Sequence, residues 1–229
     1  MDLGKKFLSY LPTNATQAPP VVPVPEGSGK DMDKILSYLP EEPRRAYDMR
    51  NIMRCMVDGG DLFELKKSFA RSAVTTLARI GGRTVGLIGN NTMHLGGALD
   101  AGACEKITSF LVLCDSFNIP IIMLVDTPGF LVGKAGERQK VTGKIINFMN
   151  ALTLVTVPKI TIIVRKTYGQ AFLNMGGGRN SDTIVAWPSA EISFMAPETG
   201  VNVVYNVRKE EEPKAFAEKF ALMERDTEP

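Results

Sequence analysis

Histidine is almost missing from this chain: His94 is the only one among 229 residues. A zinc centre built on imidazoles and a Ser-His-Asp or Cys-His catalytic set therefore lack their parts. Cysteine is scarce as well. Cys55, Cys104 and Cys114 show no CxxC spacing, and Cys114 falls on an apolar helical stripe. They read as buried, reduced thiols of a cytoplasmic protein. No dense carboxylate cluster has ligand spacing, so no metal is expected in the chain. Neither sign of charge dominates, with 27 basic residues against 25 acidic ones. That leaves no bulk electrostatic pull toward nucleic acid. The apolar runs, such as residues 119–125, fall far short of the roughly 20 residues that span a bilayer. Gly4, Lys5 and Lys6 are not followed by a hydrophobic signal core, so direct membrane insertion and secretion are not expected.

What the chain does contain is alternation. Hydrophobic residues make up 44 % and charged residues 23 %, an ordinary globular balance. Residues 1–45 are punctuated by Pro19, Pro20, Pro23 and Pro25 and by Gly27-Ser28-Gly29. They read as an extended arm or linker outside the core. Within them Leu8-Ser9-Tyr10-Leu11-Pro12 recurs as Leu36-Ser37-Tyr38-Leu39-Pro40, which reads as two helical turns stopped by proline. From residue 46 onward a folded domain is expected. Met49, Ile52, Met53 and Met56 have helical spacing, with Asp48 as N-cap. Asp61 and Glu64 have capping-box spacing for a short helix through Lys67.

Strands are expected at 74–80, 84–88, 119–125, 160–164, 183–186 and 191–195. Amphipathic helices are marked by Ile107, Phe110, Leu111 and Cys114, by Val141, Ile145, Phe148, Met149 and Leu152, and by Phe216, Phe220 and Met223. This order predicts an α/β core of right-handed crossovers. Gly89, Gly129 and Gly169 stand 40 residues apart, each read as lying just past a strand end. A stacked, spiral arrangement would gather three glycine loops into one site.

The most informative segment runs from Lys166 to Phe172, with Gly169 at its turn, after the strand at 160–164 and before a helical stretch ending at Gly176-Gly177-Gly178. Glycine permits a sharp turn and close ligand approach. The first amides of the helix that follows point outward with the positive end of the helix dipole behind them. Such amides stabilise negative charge on oxygen. Val125-Asp126-Thr127-Pro128-Gly129 has the DxxG form of a nucleotide switch. The nearest phosphate-loop candidate, Gly27-Ser28-Gly29-Lys30, has Val24 in place of the first glycine and Asp31 in place of Ser or Thr. The alternative is a turn at a strand end, with Asp126 accepting backbone hydrogen bonds. Trp187-Pro188 reads as core packing or an interface anchor, and Arg179 and Asp182 as ordering the triple-glycine loop.

Four separated segments resemble the carboxyltransferase component of biotin-dependent acyl-CoA carboxylases and decarboxylases, in its C-terminal, crotonase-like half. They are Gly89-Asn90-Asn91 with Gly97-Ala98-Leu99-Asp100, Asp126-Thr127-Pro128-Gly129-Phe130-Leu131, Val157-Pro158-Lys159-Ile160 with Arg165-Lys166-Thr167-Tyr168-Gly169, and Ala186-Trp187-Pro188-Ser189-Ala190-Glu191-Ile192. The resemblance implies an α/β, crotonase-like (ClpP/crotonase) spiral of repeated strand-strand-helix units, with residues 46–229 forming a carboxyltransferase C-terminal domain cut short at its C-terminus. It implies transfer of a carboxyl group between carboxybiotin and an acyl-CoA of propionyl, methylmalonyl, glutaconyl or acetyl type, in a carboxylase or a decarboxylase.

Carried over residue by residue, Gly169 and the amides of Gln170 and Ala171 would hold the biotin ureido oxygen. Asp126, Thr127, Pro128, Gly129, Phe130, Leu131 and Tyr168 would line the biotin pocket, and Leu173 would approach the acyl group. Because charge develops on the ureido group itself, no protein base is required. The partners implied are the carboxyltransferase N-terminal half, a biotin carboxyl carrier protein that brings the biotin, and further copies of the chain in a dimer or higher oligomer. The isolated piece is expected to be inactive. Gln170 stands where the family commonly has a second glycine. Two rivals remain: another crotonase-like CoA-thioester enzyme, a hydratase or isomerase with Glu191 or Glu198 as base, and a non-catalytic assembly domain using the arm.

Overall fold

Strands separated by helices run through most of the chain, as the alternating apolar periods predict. The computed structural model describes residues 2–42 and 44–227. After two short helices in the arm, α1 (Leu3–Leu8) and α2 (Ile35–Tyr38), α3 (Met49–Met56) opens the folded body. Asp48 caps α3 by accepting from the Arg50 amide. A bidentate pair then joins Arg50 to Glu64, with Nε and Nη2 at 2.8 and 2.6 Å from the carboxylate oxygens. Glu64 lies in β1 (Phe63–Glu64), not in the helix expected from its spacing to Asp61. β1 pairs antiparallel with β2 (Ala73–Ile80). A capping box is a local preference, and ladder pairing plus a shielded ion pair outweigh it.

β2 and β3 (Arg83–Asn90) form an antiparallel hairpin around the Gly81-Gly82 turn. Then α4 (Ala101–Ser116), β4 (Ile121–Thr127), α5 (Lys134–Arg138), α6 (Val141–Leu154), β5 (Lys159–Tyr168) and α7 (Gly169–Asn174) follow, with β6 (Thr183–Ala186), β7 (Glu191–Ser193), α8 (Pro197–Val204) and α9 (Pro213–Arg225) completing the chain. The sheet order is β1-β2-β3-β4-β5-β6, with β7 also pairing β5. Every pair from β3 to β4 onward is parallel. Among the described residues, no helix is long and apolar enough to cross a membrane.

The core lies on both faces of the sheet. Alternate residues of β2 divide between them: Ala73 and Leu77 join α4 and α6, whereas Val74 and Ala78 face α3. That division follows from the two-residue period of a strand. Cys55, Cys104 and Cys114 are buried free thiols. Burial pushes the Cys104 thiol up to about 12. Part of the arm belongs to this core, contrary to its reading as a segment outside it. Tyr10 is 1 % exposed and Ile35 is 7 % exposed. The Arg79 guanidinium sits 4.3 Å from the Tyr10 ring centroid, and its Nη2 donates to the Ser9 carbonyl at 2.7 Å. The two copies of Leu-Ser-Tyr-Leu-Pro each end a helical turn, but Tyr38 is 40 % exposed. The copies share a local shape and not an environment.

Lys106 on α4 is fully buried and, among the described residues, meets no carboxylate at hydrogen-bond distance; its Nζ donates to the carbonyls of Phe69 and Ala73 at 3.0 and 2.7 Å. Burial lowers its pKa from 10.5 to about 8. The unfolded chain therefore holds this proton to higher pH than the folded one. Between those two values the unfolded state binds more protons, so the contribution of Lys106 to stability increases as pH rises. Compared with Lys106→Met, the native protein should gain about 1–3 kcal/mol across that window. Urea unfolding of both proteins at a series of pH values measures this. A stability difference that stays flat would reject the assignment.

Candidate functional site: an amide-bearing turn at the end of β5

β5 is the longest strand, and it changes partners along its length. Ile160 to Ile163 pair with β6, whereas Lys166, Thr167 and Tyr168 pair with β7. At its end Gly169 takes φ +57°, the left-handed region, and starts α7. An ideal Cβ at Gly169 would lie 2.9 Å from the Phe194 carbonyl oxygen. Glycine is required here both for the backbone angle and for the space.

Among the described residues, no side chain caps α7. The first amides of a helix have no acceptor within it. Among the described residues, the Gln170 and Ala171 amides donate to no backbone acceptor outside the helix. The Gln170 side chain turns back along α7, donating from Nε2 to Asn174 Oδ1 at 3.0 Å, and buried Asn174 donates to the Ile145 carbonyl on α6 at 3.1 Å. Gln170 thus leaves its own amide uncovered. The helix ends where expected: Gly176, at φ +88°, follows Met175, and the amides of Gly176 and Gly177 return to the carbonyls of Leu173 and Phe172. Leu173 is 37 % exposed. Asp182 orders the same loop by accepting the Lys159 amide at 2.7 Å.

The residues expected beside this turn divide by orientation. Asp126 and Thr127 end β4 with side chains fully buried. Pro128 is exposed, and Gly129 and Phe130 are half-buried. Leu131 and Gly129 flank Leu99, whose carbonyl accepts the Leu131 amide at 2.8 Å and whose amide donates to the Gly129 carbonyl at 3.0 Å. Gly89 differs from its expectation. It lies inside β3, and a Cβ there would come within 2.6 Å of Met53. It makes room for α3, not for a ligand loop.

A cavity of about 340 Å³ adjoins the turn, with Pro128, Lys166, Tyr168, Glu191 and Glu198 in its wall. Tyr168 donates to Glu191, and burial together with that bond raises the phenol's pKa. Glu198 pairs with Arg44 of the arm. Both carboxylates suspected as bases are therefore engaged. His94 is half-buried, with Nδ1 3.2 Å from Arg71 Nη2. Trp187 packs against the α3-side core.

Sequence reasoning assigned no role to Arg165, Asn174 or Ser189, although Arg165 and Ser189 stand in the segments that carry the resemblance. Arg165 Nε donates to Asp126 at 3.0 Å. Ser189 Oγ donates to the Val164 carbonyl at 2.8 Å. An arginine directly after an apolar run is the local signal for a buried ion pair.

Parallel strands wrapped by crossover helices, with an open-amide turn at a strand end, place this chain in the crotonase-like class. More particularly, it belongs to the carboxyl transferase domain family, which it matches over residues 1–228. It is 37 % identical over 222 residues to the methylmalonyl-CoA carboxyltransferase 12S subunit of Propionibacterium freudenreichii subsp. shermanii, covering 95 % of this chain and 42 % of that protein. It is 38 % identical over 212 residues to the biotin-dependent acetyl-/propionyl-coenzyme A carboxylase beta5 subunit of Mycobacterium tuberculosis (strain CDC 1551 / Oshkosh), covering 89 % and 38 %. Among solved structures, the transcarboxylase 12S hexamer with methylmalonyl-coenzyme A and methylmalonic acid bound superposes with a TM-score of 0.89 at 36 % identity, over 97 % of this chain and 44 % of that one. The chain spans about two fifths of the length of the curated relatives it matches.

Proposed function

We propose that this chain forms the biotin side of an acyl-CoA carboxyltransferase. The observation that carries the reading is the Gly169 turn, where the Gln170 and Ala171 amides stand uncapped at the start of α7. Carboxybiotin, when bound, supplies the carboxyl group to be transferred. The donor set suits a ureido oxygen, which is planar, neutral at rest and more negative as the carboxyl group leaves. Gln170 and Ala171 would hold that oxygen through their amides. Gly169 would allow its close approach. Pro128, Gly129 and Tyr168 would wall the ring, with Phe130, Leu131 and Leu173 extending toward the acyl side. Asp126 and Thr127 would act from behind the wall. The acyl-CoA side would come from a carboxyltransferase N-terminal half, biotin from a carrier protein, and the complete site from an oligomer in the cytoplasm.

The hydratase reading is less favoured because Glu191 and Glu198 are already bonded to Tyr168 and Arg44. The direct test assembles the chain with a carboxyltransferase N-terminal half and measures carboxyl transfer from methylmalonyl-, malonyl- and glutaconyl-CoA to free biotin. Biotin-dependent loss of the carboxyl group from at least one thioester is expected. No transfer from any of them, in an assembly that forms, would reject the proposal.

A further inference from the structure

Opposite Asp126 the β4–β5 ladder loses register. Val125 pairs with Ile163 and Thr127 with Thr167, so the single residue Asp126 faces Val164, Arg165 and Lys166. Such a bulge strands backbone groups that the ladder would otherwise satisfy, and buried ones must find other partners. Two side chains supply them. Ser189 Oγ donates to the Val164 carbonyl at 2.8 Å, and Asp126 Oδ1 accepts the Lys166 amide at 3.2 Å. The same carboxylate accepts Arg165 Nε at 3.0 Å and lies 3.0 Å from Lys166 Nζ.

Asp126 is itself held from the other side. Its amide donates to Asn90 Oδ1 at 3.2 Å, and Gly97 packs so tightly on its carbonyl that a Cβ would lie 2.5 Å away. Arg165 also donates to the carbonyls of Glu42 and Arg45, tying the arm to the same point. Thr167 resumes the ladder after the bulge, and Tyr168 and Gly169 come next. The bulge therefore sets where the turn stands relative to β4.

We propose that Asp126 is a positioning residue: its carboxylate replaces the ladder acceptor missing at the bulge and thereby fixes the Gly169 turn. It acts through Arg165 and Lys166 and does not touch the ligand. The consequence for biotin rests on the function proposed above; the consequence for the turn does not. Asp126→Asn keeps the size but sets an amide NH₂ against donors, so at least one of the two anchors is lost.

The test is NMR on the full chain and on Asp126→Asn, with a biotin titration of each. The variant should displace the amide resonances from Lys166 to Ala171, raise the hydrogen exchange of the strand amides from Lys166 to Tyr168 at least tenfold and weaken biotin at least tenfold, while resonances of α4 stay put. Turn resonances that do not move overturn the proposal. If the parent chain does not bind biotin, the functional reading fails, and the turn resonances still decide the clamp. Should the variant not fold, exchange in the parent chain decides: the Lys166 amide must be protected to the level of the strand amides of β5. Exchange at a loop rate overturns the proposal.

Discussion

Gly169→Val should lower carboxyl transfer by the assembled enzyme about 100- to 1,000-fold, the usual effect of losing an oxyanion donor. The backbone there sits at φ +57°, and a Cβ would approach the Phe194 carbonyl to 2.9 Å. A β-branched residue tolerates neither. The backbone must rotate, and the Gln170 and Ala171 amides rotate with it. Removing the Gln170 side chain instead leaves those amides in place, so Gln170→Ala should retain far more activity than Gly169→Val. The loss should fall on kcat, because charge on the acceptor oxygen is greatest in the transition state. Folding should suffer by only ~1–3 kcal/mol, since Gly169 lies at a surface turn. Steady-state kinetics and urea unfolding of both variants separate the two effects. Equal activity loss in the two would mean that the turn is not where charge is held.

The largest stability effect is expected from Gly176→Ala. A Cβ at Gly176 would lie 2.2 Å from Thr161 Oγ1, 2.4 Å from Ser181 Oγ and 2.5 Å from Met123 Cε, at φ +88°. Thr161 and Ser181 hydrogen-bond each other at 2.7 Å, and Met123 belongs to the core. The substitution would break that bond, push against β4 and strain the helix stop together. Overpacking and an unfavourable φ combine to about 2–5 kcal/mol. Gly143, with open space around its Cβ position, supplies the control: Gly143→Ala lies inside α6 and should be neutral or mildly stabilising. Thermal and urea unfolding compare the two. Similar midpoints for both variants would contradict the packing described.

Much of the fold was legible because the elements are long and their periods clear. The stripe Ile107, Phe110, Leu111, Cys114 became the buried face of α4, and the apolar run at 119–125 became β4. The turn at Gly169 was also legible, since glycine after a strand and before a helix is a local signal. Other features escaped. The helix expected around Asp61 and Glu64 gave way to β1 because Glu64 meets Arg50 and β2 pairs alongside. Gly89 reads from its spacing as part of a ligand loop, although it serves the close approach of α3. Tyr10 reads as part of an arm, yet it lies under Arg79 and beside Phe63. Each of these outcomes depends on a residue distant in the chain.

The order of strands and helices, the glycine turns and the poverty of acids, bases and thiols fit for chemistry were determined by the sequence alone. They are local or compositional properties, and backbone sterics with apolar periodicity suffice to express them. Tertiary structure decided which way Asp126 faces, where β5 slips against β4, and that Arg165 binds a carboxylate and the arm at one point. Register and buried charge pairing arise only when strands far apart in sequence meet, so the energies that choose between alternatives do not exist until the chain has folded.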